Sequence, residues 1–389
     1  MKRLCVVSFL ALALSLFTQT ASAVKSSLLS EGSPASLGLS PERMSRIDAM
    51  AESAIEDGDV PGLVALVVRN GQIAYHKAFG VADIESGREL KKDDIFRIFS
   101  QTKAITATAV MMLWEEGTFK LDDPISKWIP EFKDPQVLVD YNYTAGTYTT
   151  IPAEQEISIR HLLTHSSGIG YGVIDGDKRM RLIYKEAGII EAVTHEPVLI
   201  ADNIKRLAEL PLHFHPGERY SYSMGLDVLG YFAELVSGMP LDEFFSTRIF
   251  EPLGMNDTYF YLPEDKVDRL VGLYEPADGK WVTSLGDGAI DPDYMFKGAK
   301  SLFSGGGGLL STTTDYANFL QMYLNGGELN GTRLLSRTTI ETMMQSGVKL
   351  SPTGRYSLAF SVLNEEGVAA GGLGSEGTFS WGGAANTQY

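Results

Sequence analysis

Cysteine is nearly absent from this chain of 389 residues, in which Cys5 is the only one. Cys5 lies in an N-terminal segment that we expect to be removed, so the processed protein would contain no cysteine. Without a thiol, that protein can form no disulfide, no cysteine nucleophile and no cysteine-ligated metal site. Nucleophilic chemistry would therefore have to use another side chain, and an exported protein without cysteine fits a bacterial periplasm or medium.

The first 23 residues have the layout of a secretory signal peptide. The segment "MKRLCVVSFLALALSLFTQTASA" has a basic start at Lys2 and Arg3, an apolar run and small residues up to Ala23. A membrane anchor is the alternative, but the apolar run is short for a span and polar residues follow it. We therefore expect cleavage after Ala23 and a periplasmic or secreted protein of residues 24–389.

Positive charge is also scarce, because 33 Lys and Arg stand against 49 Asp and Glu, a net charge of −16 at pH 7. Such an acidic surface repels phosphate backbones and anionic lipids, and no basic cluster interrupts it. Nucleic acid is therefore excluded as a partner. Beyond the first 23 residues, no apolar run is long enough to cross a bilayer. The hydrophobic content of 44% indicates an ordinary globular core.

Two patterns that could bind a ligand lack the residues that they would need. Gly305–Gly308 is a run of four glycines, but no Lys-Ser or Lys-Thr follows it as a phosphate-binding loop requires, so a tight turn is favoured. Histidines occur in pairs, His161 with His165 and His213 with His215. In "HLLTH" a Leu stands where a metal-binding helix would carry Glu, and a third ligand is not evident. We expect structural histidines and no metal.

Ser-x-x-Lys occurs three times, beginning at Ser22, Ser100 and Ser346. The first copy straddles the predicted cleavage site, and the third contains the glycine of a turn. The second opens "FRIFSQTKAITATAVMMLWEEG", which is rich in helix formers. A spacing of three puts Ser100 and Lys103 on one helix face, where a lysine in apolar surroundings can lose its proton and activate the serine. The motif alone leaves open a capping serine beside a solvated lysine.

The order of predicted elements indicates an α/β protein. "SPERMSRIDAMAESAIEDG" predicts a helix capped by Ser40, and "PGLVALVVRNGQIAYHKAFG" predicts two strands joined by a hairpin turn. The middle is mainly helical and includes the polar, loop-like insertion "DYNYTAGTYTTIPAEQ", while the tail alternates as strands. We expect an antiparallel sheet built from both termini and flanked by helices (about 24–99 and 295–389), with a mainly helical lobe inserted at about 100–294.

Several blocks of the chain resemble the serine β-lactamase and penicillin-binding-protein superfamily, closest to class C β-lactamases and family VIII carboxylesterases. The blocks, which span nearly the whole processed chain, are "VPGLVALVVRNGQIAYHKAFG", "FRIFSQTKAITATAVM", "IRHLLTHSSGIGYG", "PGERYSYSMGLDVLG", "GGGGLLSTTTDYANF" and "SWGGA". The resemblance implies the β-lactamase/transpeptidase-like fold, in which Ser-x-x-Lys opens a helix at the interface of two lobes. It also implies that Ser100 is the acylated nucleophile and Lys103 its proton partner.

A tyrosine, usually in Tyr-x-Asn, shuttles the proton between nucleophile and leaving group in this superfamily. Literal matches begin at Tyr316 and Tyr323, but both lie on the apolar face of a predicted helix, which favours packing. The position that fits the superfamily follows a Pro-Gly pair and is Tyr222-Ser223-Met224. The resemblance therefore implies Tyr222 as the third catalytic residue, with Met224 in place of the Asn.

The Lys-Thr-Gly of β-lactamases, which lies on a strand beside the serine, has no counterpart near this C-terminus. Trp381, Gly382 and Gly383 stand there instead, as in family VIII esterases. By resemblance, the backbone N–H of Ala384 would join that of Ser100 as the oxyanion hole. Small residues let the backbone approach the substrate closely, and Trp381 is expected to line the pocket.

Both departures from the β-lactamase pattern favour a neutral substrate. The superfamily's Lys and Thr hold a substrate carboxylate and its Asn an amide, whereas Trp381 and Met224 offer an indole and a thioether. Tyr171 is expected to add an aromatic wall, with core packing as the alternative. We therefore expect a serine carboxylesterase for small short-chain esters that needs no cofactor. A β-lactamase or D,D-peptidase, an acyltransferase and a non-catalytic penicillin-binding module are the alternatives.

The sequence stops at "WGGAANTQY", whereas members of the superfamily continue with further strands and a closing helix. An open sheet edge and an uncovered apolar face would be costly. We therefore expect this sequence to be a fragment of a longer reading frame.

Overall fold

A computed structural model describes residues 28–284, 292–345, 347–351 and 354–389. The predicted signal peptide and the starts of the first and third Ser-x-x-Lys motifs lie outside the described residues. The helices are α1 (Pro41–Glu56), α2 (Thr102–Glu115), α3 (Ile159–Leu163), α4 (Lys178–Glu186), α5 (Ile200–Ala208), α6 (Gly225–Ser237), α7 (Leu241–Phe245), α8 (Glu251–Leu253), α9 (Thr313–Leu324), α10 (Arg337–Gln345) and α11 (Glu365–Ala369).

Most strands pair with strands nearby in the sequence, whereas β5 pairs with the distant β10. They are β1 (Ser30–Glu31), β2 (Gly62–Arg69), β3 (Gln72–Asp83), β4 (Arg88–Glu89), β5 (Phe96–Arg97), β6 (Gln136–Asn142), β7 (Thr147–Pro152), β8 (Tyr274–Ala277), β9 (Lys280–Thr283), β10 (Leu310–Ser311), β11 (Glu328–Leu329), β12 (Thr332–Arg333), β13 (Val348–Ser351), β14 (Gly354–Tyr356), β15 (Ser361–Leu363) and β16 (Phe379–Ser380).

The N-terminal elements form where the sequence predicts them. The Ser40 side chain accepts a hydrogen bond from the Arg43 N–H and caps α1, with Pro41 in the first turn. The β2–β3 hairpin turns at Asn70 and Gly71, both of which have positive φ, as the tight turn between two twisted antiparallel strands requires. The predicted helix and hairpin are thus confirmed.

In the described ranges the two four-stranded terminal sheets are separate and the short β5–β10 pair joins the two terminal segments, whereas the sequence predicts one shared antiparallel sheet. Strands β1, β3 and β2 lie in that order, with β1 parallel to β3 and β4 paired to β3, and β13–β14–β15–β16 form an antiparallel sheet of their own. Alternation of apolar residues indicates a strand and its buried face but does not choose the neighbouring strand. The detail of sheet pairing therefore differs from the prediction.

The insertion predicted as loop-like is a β-hairpin. Strands β6 and β7 pair in antiparallel register, and the Asn142 side chain accepts hydrogen bonds from the N–H groups of Thr144 and Ala145 in the turn. The Thr and Tyr residues that make this segment polar also favour strands, so polarity alone was misleading. The hairpin is anchored by bonds between its first strand and Leu212.

Helix α2 is central to the molecule. Residues 102–113 are all buried, which fits a segment that is mostly apolar and has no exposed polar face. The largest hydrophobic cluster contains α2 together with residues such as Phe232 of α6, Phe319 of α9 and Phe360 beside β15. One core therefore includes residues on both sides of the predicted lobe boundary. In the part of the chain that the structure describes, no helix is long and apolar enough to span a membrane.

Candidate active site

Ser100 lies on a sharp turn that leads into α2. Strand β5 pairs with β10, the N–H of Ile98 donates to the Leu309 carbonyl at 3.1 Å, and residues 99–101 then form one turn of 3₁₀ helix. Phe99 has a φ of +41°, a conformation that side-chain-bearing residues rarely adopt and that clusters at functional sites. Ser100 is consequently half-buried at the entrance of a buried helix.

Lys103 is completely buried and its amine points at Ser100. Its Nζ lies 3.3 Å from Ser100 Oγ and donates to the Gly306 carbonyl oxygen at 2.7 Å. The alternative of a solvated surface lysine does not apply here, because the side chain is 0% exposed. Lys103 is positioned to exchange a proton with Ser100.

Tyr222 completes a cluster of three polar side chains. Its hydroxyl donates to Ser100 Oγ at 2.6 Å, and the Lys103 Nζ lies 4.7 Å from the centre of its ring. The Tyr171 ring stacks on Tyr222 with centres 5.7 Å apart and planes 3° apart. The predicted residues Ser100, Lys103 and Tyr222 thus meet at one oxygen atom, although 122 positions of sequence separate the first and last of them.

Aromatic rings surround Tyr222 on its other sides. His165 lies 4.6 Å and Trp381 5.7 Å from it, centre to centre, and Tyr356 packs at 4.9 Å from both His165 and Trp381. The sequence predicts Trp381 in the pocket and His165 as a structural residue, and it gives no signal for Tyr356. Their proximity to Tyr222 depends on distant parts of the chain, so no local pattern identified them.

His165 also fixes the backbone that carries Tyr222. Its carbonyl oxygen accepts from the Ser221 N–H at 2.8 Å, and its Nδ1 accepts from the Ser223 N–H at 3.2 Å. Burial, followed by the nearby charge of Lys103, holds the pKa of the His165 imidazole well below its ordinary value. A neutral imidazole therefore packs against the Tyr222 ring and bonds to the backbone beside it.

The C-terminal segment crosses the chain just before Ser100. The Gly383 N–H donates to the Thr387 carbonyl at 2.7 Å, and Thr387 Oγ1 donates to the Ile98 carbonyl at 3.4 Å. A Cβ on Gly383 would lie 2.3 Å from the Ile98 carbonyl oxygen, so this close crossing requires glycine. Ala384 follows and is exposed, and its N–H as an oxyanion donor stays a prediction.

Two predicted substrate contacts lie in the core rather than on an open surface. Met224 is 1% exposed and belongs to the main hydrophobic cluster, so its thioether has no free surface to offer a substrate. Tyr171 is 7% exposed, and burial raises the pKa of its phenol well above the ordinary value. Met224 precedes a buried helix, which makes it a packing residue, whereas Tyr171 supports the Tyr222 ring.

The two literal Tyr-x-Asn matches are packing residues, as predicted. The Tyr316 hydroxyl donates to the Gln101 carbonyl at 2.9 Å, and that of Tyr323 lies 2.7 Å from Thr108 Oγ1. Both bonds tie α9 to α2 and its preceding turn. Neither hydroxyl reaches Ser100 in the described structure, so Tyr222 is the tyrosine at the site.

The remaining predicted histidines have structural partners. His161 Nδ1 accepts from the Ser158 N–H and closes a capping box on α3, and His213 Nε2 lies 2.5 Å from an Asp175 oxygen. Within the described residues, no group of three or more His, Cys, Asp and Glu side chains is arranged to hold a metal. Gly305–Gly308 forms the predicted turn.

Comparison with known proteins identifies the family. A family model described as "Beta-lactamase" matches residues 47–389. This chain belongs to the β-lactamase family. The resemblance inferred from the sequence blocks is thereby confirmed.

Relatives of this β-lactamase-family chain include named esterases. Esterase EstB of Burkholderia gladioli is 34% identical over 350 residues, which cover 87% of this chain and 84% of that protein. Lovastatin esterase of Penicillium rubens is 30% identical over 320 residues, covering 80% of this chain and 76% of that protein. The β-lactamase-family chain is thus a serine hydrolase by descent, and its relatives include enzymes named for ester cleavage.

A solved structure supports the fold of this β-lactamase-family member. EstCE1, described as a hydrolase with promiscuous acyltransferase activity, superposes with a TM-score of 0.74 at 27% identity, covering 87% of each chain. The β-lactamase/transpeptidase-like α/β fold predicted from the sequence is confirmed.

Proposed function

We propose that this chain is a carboxylesterase that cleaves small, neutral, short-chain esters through an acyl-enzyme on Ser100. The observation that carries the proposal is the convergence of Lys103 and Tyr222 on Ser100 Oγ, at 3.3 and 2.6 Å. An aromatic ring and two glycines stand where β-lactamases carry their anion-binding Lys-Thr-Gly. The named esterases among the relatives support the same reaction class.

In the proposed mechanism, Ser100 Oγ attacks the ester carbonyl carbon while its proton passes to the Lys103–Tyr222 pair. The carbonyl oxygen becomes an oxyanion, which backbone N–H groups of Ser100 and Ala384 would stabilise. Tyr222 returns the proton to the departing alkoxide, which leaves as an alcohol. Water then attacks the acyl-enzyme by the same route in reverse and releases the carboxylic acid.

The preference for neutral esters follows from the groups around Ser100. Trp381 is half-buried beside Tyr222 and offers an apolar face. A substrate carboxylate would find no lysine at the Trp-Gly-Gly segment to pair with, so its desolvation would not be compensated. Short acyl esters, which carry no charge, avoid this cost.

Acyl transfer to an alcohol is a second candidate function. EstCE1, at 27% identity over 87% of this chain, is described as having promiscuous acyltransferase activity. The same acyl-enzyme would form, and an alcohol would replace water in the second step. Adding a simple alcohol to the assay would distinguish the two, because transfer yields a new ester in place of the free acid.

The decisive experiment compares hydrolysis of p-nitrophenyl butyrate with that of a chromogenic cephalosporin by the purified protein and by its Ser100→Ala variant. Ester turnover that is lost in the variant, with little cephalosporin turnover, is the expected result. Dominant cephalosporin turnover would favour a β-lactamase instead. Ester turnover that persists in Ser100→Ala would reject Ser100 as the nucleophile.

We also infer export to a bacterial periplasm or to the medium, where the enzyme would meet small esters from outside the cell. The signal-peptide layout of residues 1–23 and the absence of cysteine from the rest of the sequence support this location. N-terminal sequencing of protein from a periplasmic extract should give Val24 as the first residue, whereas an intact Met1 would contradict export.

A further inference from the structure

The four glycines Gly305–Gly308 form a turn wedged between α2 and α6. On the α2 side, Thr106 Oγ1 donates to the Gly305 carbonyl at 2.6 Å and Lys103 Nζ donates to the Gly306 carbonyl at 2.7 Å. On the α6 side, a Cβ on Gly305 would lie 2.6 Å from the Leu226 carbonyl oxygen. A side chain therefore does not fit at Gly305, and the Gly306 carbonyl holds the amine of Lys103.

Asp227 of α6 holds the same turn. Its Oδ1 accepts from the Ser304 hydroxyl at 2.5 Å and from the Gly306 N–H at 3.1 Å. Ser304 Oγ in turn accepts from the Gly307 N–H at 3.0 Å. Gly306 thus connects two buried side chains, since its N–H donates to Asp227 and its carbonyl accepts from Lys103.

The carboxyl group of Asp227 is buried with one oxygen unpaired. The residue is 2% exposed, and no described atom forms a hydrogen bond with Oδ2, which faces Gly306 so closely that a Cβ there would lie 2.2 Å away. A buried carboxylate of this kind is costly unless an opposite charge is near. Lys103, which is 0% exposed, can supply that charge when its amine takes up a proton.

Two titratable side chains face Asp227, Lys103 from α2 and Tyr171 from the segment before α4. Burial raises the pKa of the Asp227 carboxyl, and the charge of Lys103 acts against that rise. Burial and then the Asp227 charge raise the pKa of the Tyr171 phenol, so Tyr171 stays neutral and Lys103 is the one of the two that can carry a positive charge.

We propose that Asp227 is the positioning residue and counter-ion of Lys103. This rests on the role proposed above for Lys103 in the proton relay. Asp227 does not contact the reacting atoms; it fixes the Gly306 carbonyl that aims Lys103 Nζ at Ser100. When the Ser100 proton moves to Lys103, the ammonium that forms is stabilised by a buried carboxylate in low-dielectric surroundings.

The test measures how fast a fluorophosphonate probe labels Ser100 as a function of pH in the wild type and in Asp227→Asn. The amide keeps an oxygen that can accept from Ser304 and Gly306 but removes the charge. Without the carboxylate, the positive charge that forms when the Ser100 proton is taken up is stabilised less, so the acidic limb of the rate profile should move to lower pH. The labelling rate at the optimum should fall by about 10²-fold.

Ser304→Ala is the matched control, because it loosens the turn without changing any charge. It should lower the labelling rate at every pH and leave the acidic limb where it is in the wild type. If Asp227→Asn behaves in the same way, with a lower rate and an unmoved limb, Asp227 is only a structural residue and the proposal is overturned.

A double variant keeps the proposal testable if Asp227→Asn does not fold. The proposal expects Asp227→Asn combined with Lys103→Met to fold, because both buried charges are then removed together. If the double variant does not fold while Lys103→Met alone folds, the charge pairing between Asp227 and Lys103 is contradicted. Phosphonylation needs no ester, so lack of ester hydrolysis by the wild type would reject the proposed function without deciding this test.

Discussion

Ser100 Oγ accepts hydrogen bonds from the Tyr222 phenol and from the Lys103 amine. The role of the phenol can be tested by removing its hydroxyl alone. Tyr222→Phe deletes only the hydroxyl that lies 2.6 Å from Ser100 Oγ and keeps the ring that stacks on Tyr171. Because proton transfer then loses its positioned partner, we expect kcat for p-nitrophenyl butyrate to fall by about 10²–10⁴-fold with little change in Tm.

The control for this prediction is Tyr220→Phe, a neighbouring tyrosine that packs on His165 and Tyr356. It should keep most of the wild-type kcat. A Tyr222→Phe variant that hydrolyses the ester as fast as Tyr220→Phe does would exclude the phenol from the proton relay.

His165 provides a second residue-scale prediction. It has a φ of +52° and its Nδ1 accepts the Ser223 N–H. Asn tolerates that backbone conformation and offers an acceptor, whereas Leu does neither well. We therefore expect His165→Leu to lower both kcat and Tm clearly more than His165→Asn, measured by steady-state kinetics and thermal unfolding. Equal losses in the two variants would show that ring packing alone accounts for this residue.

Ser100, Lys103 and Tyr222 could be predicted because each lies in a sequence block that resembles the corresponding block of the superfamily. Asp227 could have attracted attention as an acidic residue inside the apolar "GLDVLG", but its partners in the glycine turn are 77 and 79 positions away. Met224 is a case in which the motif misleads. Its position in the motif predicts a substrate contact, but its side chain is buried and packs in the core.

At the level of elements, the glycine turn between α2 and α6 gives a matched pair of substitutions. A Cβ on Gly305 would lie 2.6 Å from the Leu226 carbonyl and 3.1 Å from Gly230 Cα, whereas a Cβ on Gly307 would meet its nearest atom, Phe99 C, at 3.9 Å. Overpacking of this kind costs about 1–3 kcal/mol. We expect urea unfolding to show a loss of that size for Gly305→Ala and a small change for Gly307→Ala.

The reverse order of stability would mean that α6 can move away from α2 without cost. That outcome would also weaken the case for a fixed Gly306 carbonyl, because the turn could then shift with the helix.

Helices were easier to predict than strand partners. The apolar run of α2 and the cap of α1 are local signals, and both elements begin within a residue or two of their predicted starts. The pairing of β13–β16 among themselves and the β6–β7 hairpin depend on which strands lie alongside, which a strand's own alternation does not specify.

For the whole molecule, buried carboxyl groups set part of the dependence of stability on pH. Glu191 is buried and accepts the Val173 N–H at 2.8 Å, and burial raises the pKa of its carboxyl from 4.5 to about 7. The folded protein therefore holds this proton more tightly than the unfolded chain. The resulting stabilisation is complete below about pH 4.5 and is lost as the pH rises through 7.

Glu191→Gln removes this titration and keeps a carbonyl oxygen for the Val173 N–H. We expect Tm relative to wild type to be higher at pH 8 than at pH 5, as measured by thermal unfolding at both pH values. Glu209→Gln, at an exposed position just after α5, should change Tm equally at the two pH values. If Glu191→Gln did the same, Glu191 would not carry a raised pKa in the folded protein.

The fold class could be predicted for the whole chain because ordered blocks resemble one superfamily over nearly its full length. The lobes could not be delimited as sharply, since residues such as Phe232 and Phe319, assigned to different lobes, pack in one core around α2. Sequence order separates these residues, and the packing of α2 brings them together.

The complete burial of Lys103 has a practical consequence for handling the protein. Amine-reactive reagents, such as succinimidyl esters, attack lysines that water can reach, and exposed lysines such as Lys91 and Lys185 are available to them. Lys103 has no exposed surface and its amine is already hydrogen-bonded, so it should react last. The protein could therefore be coupled to a resin or a dye through its surface amines while the amine beside Ser100 stays unmodified.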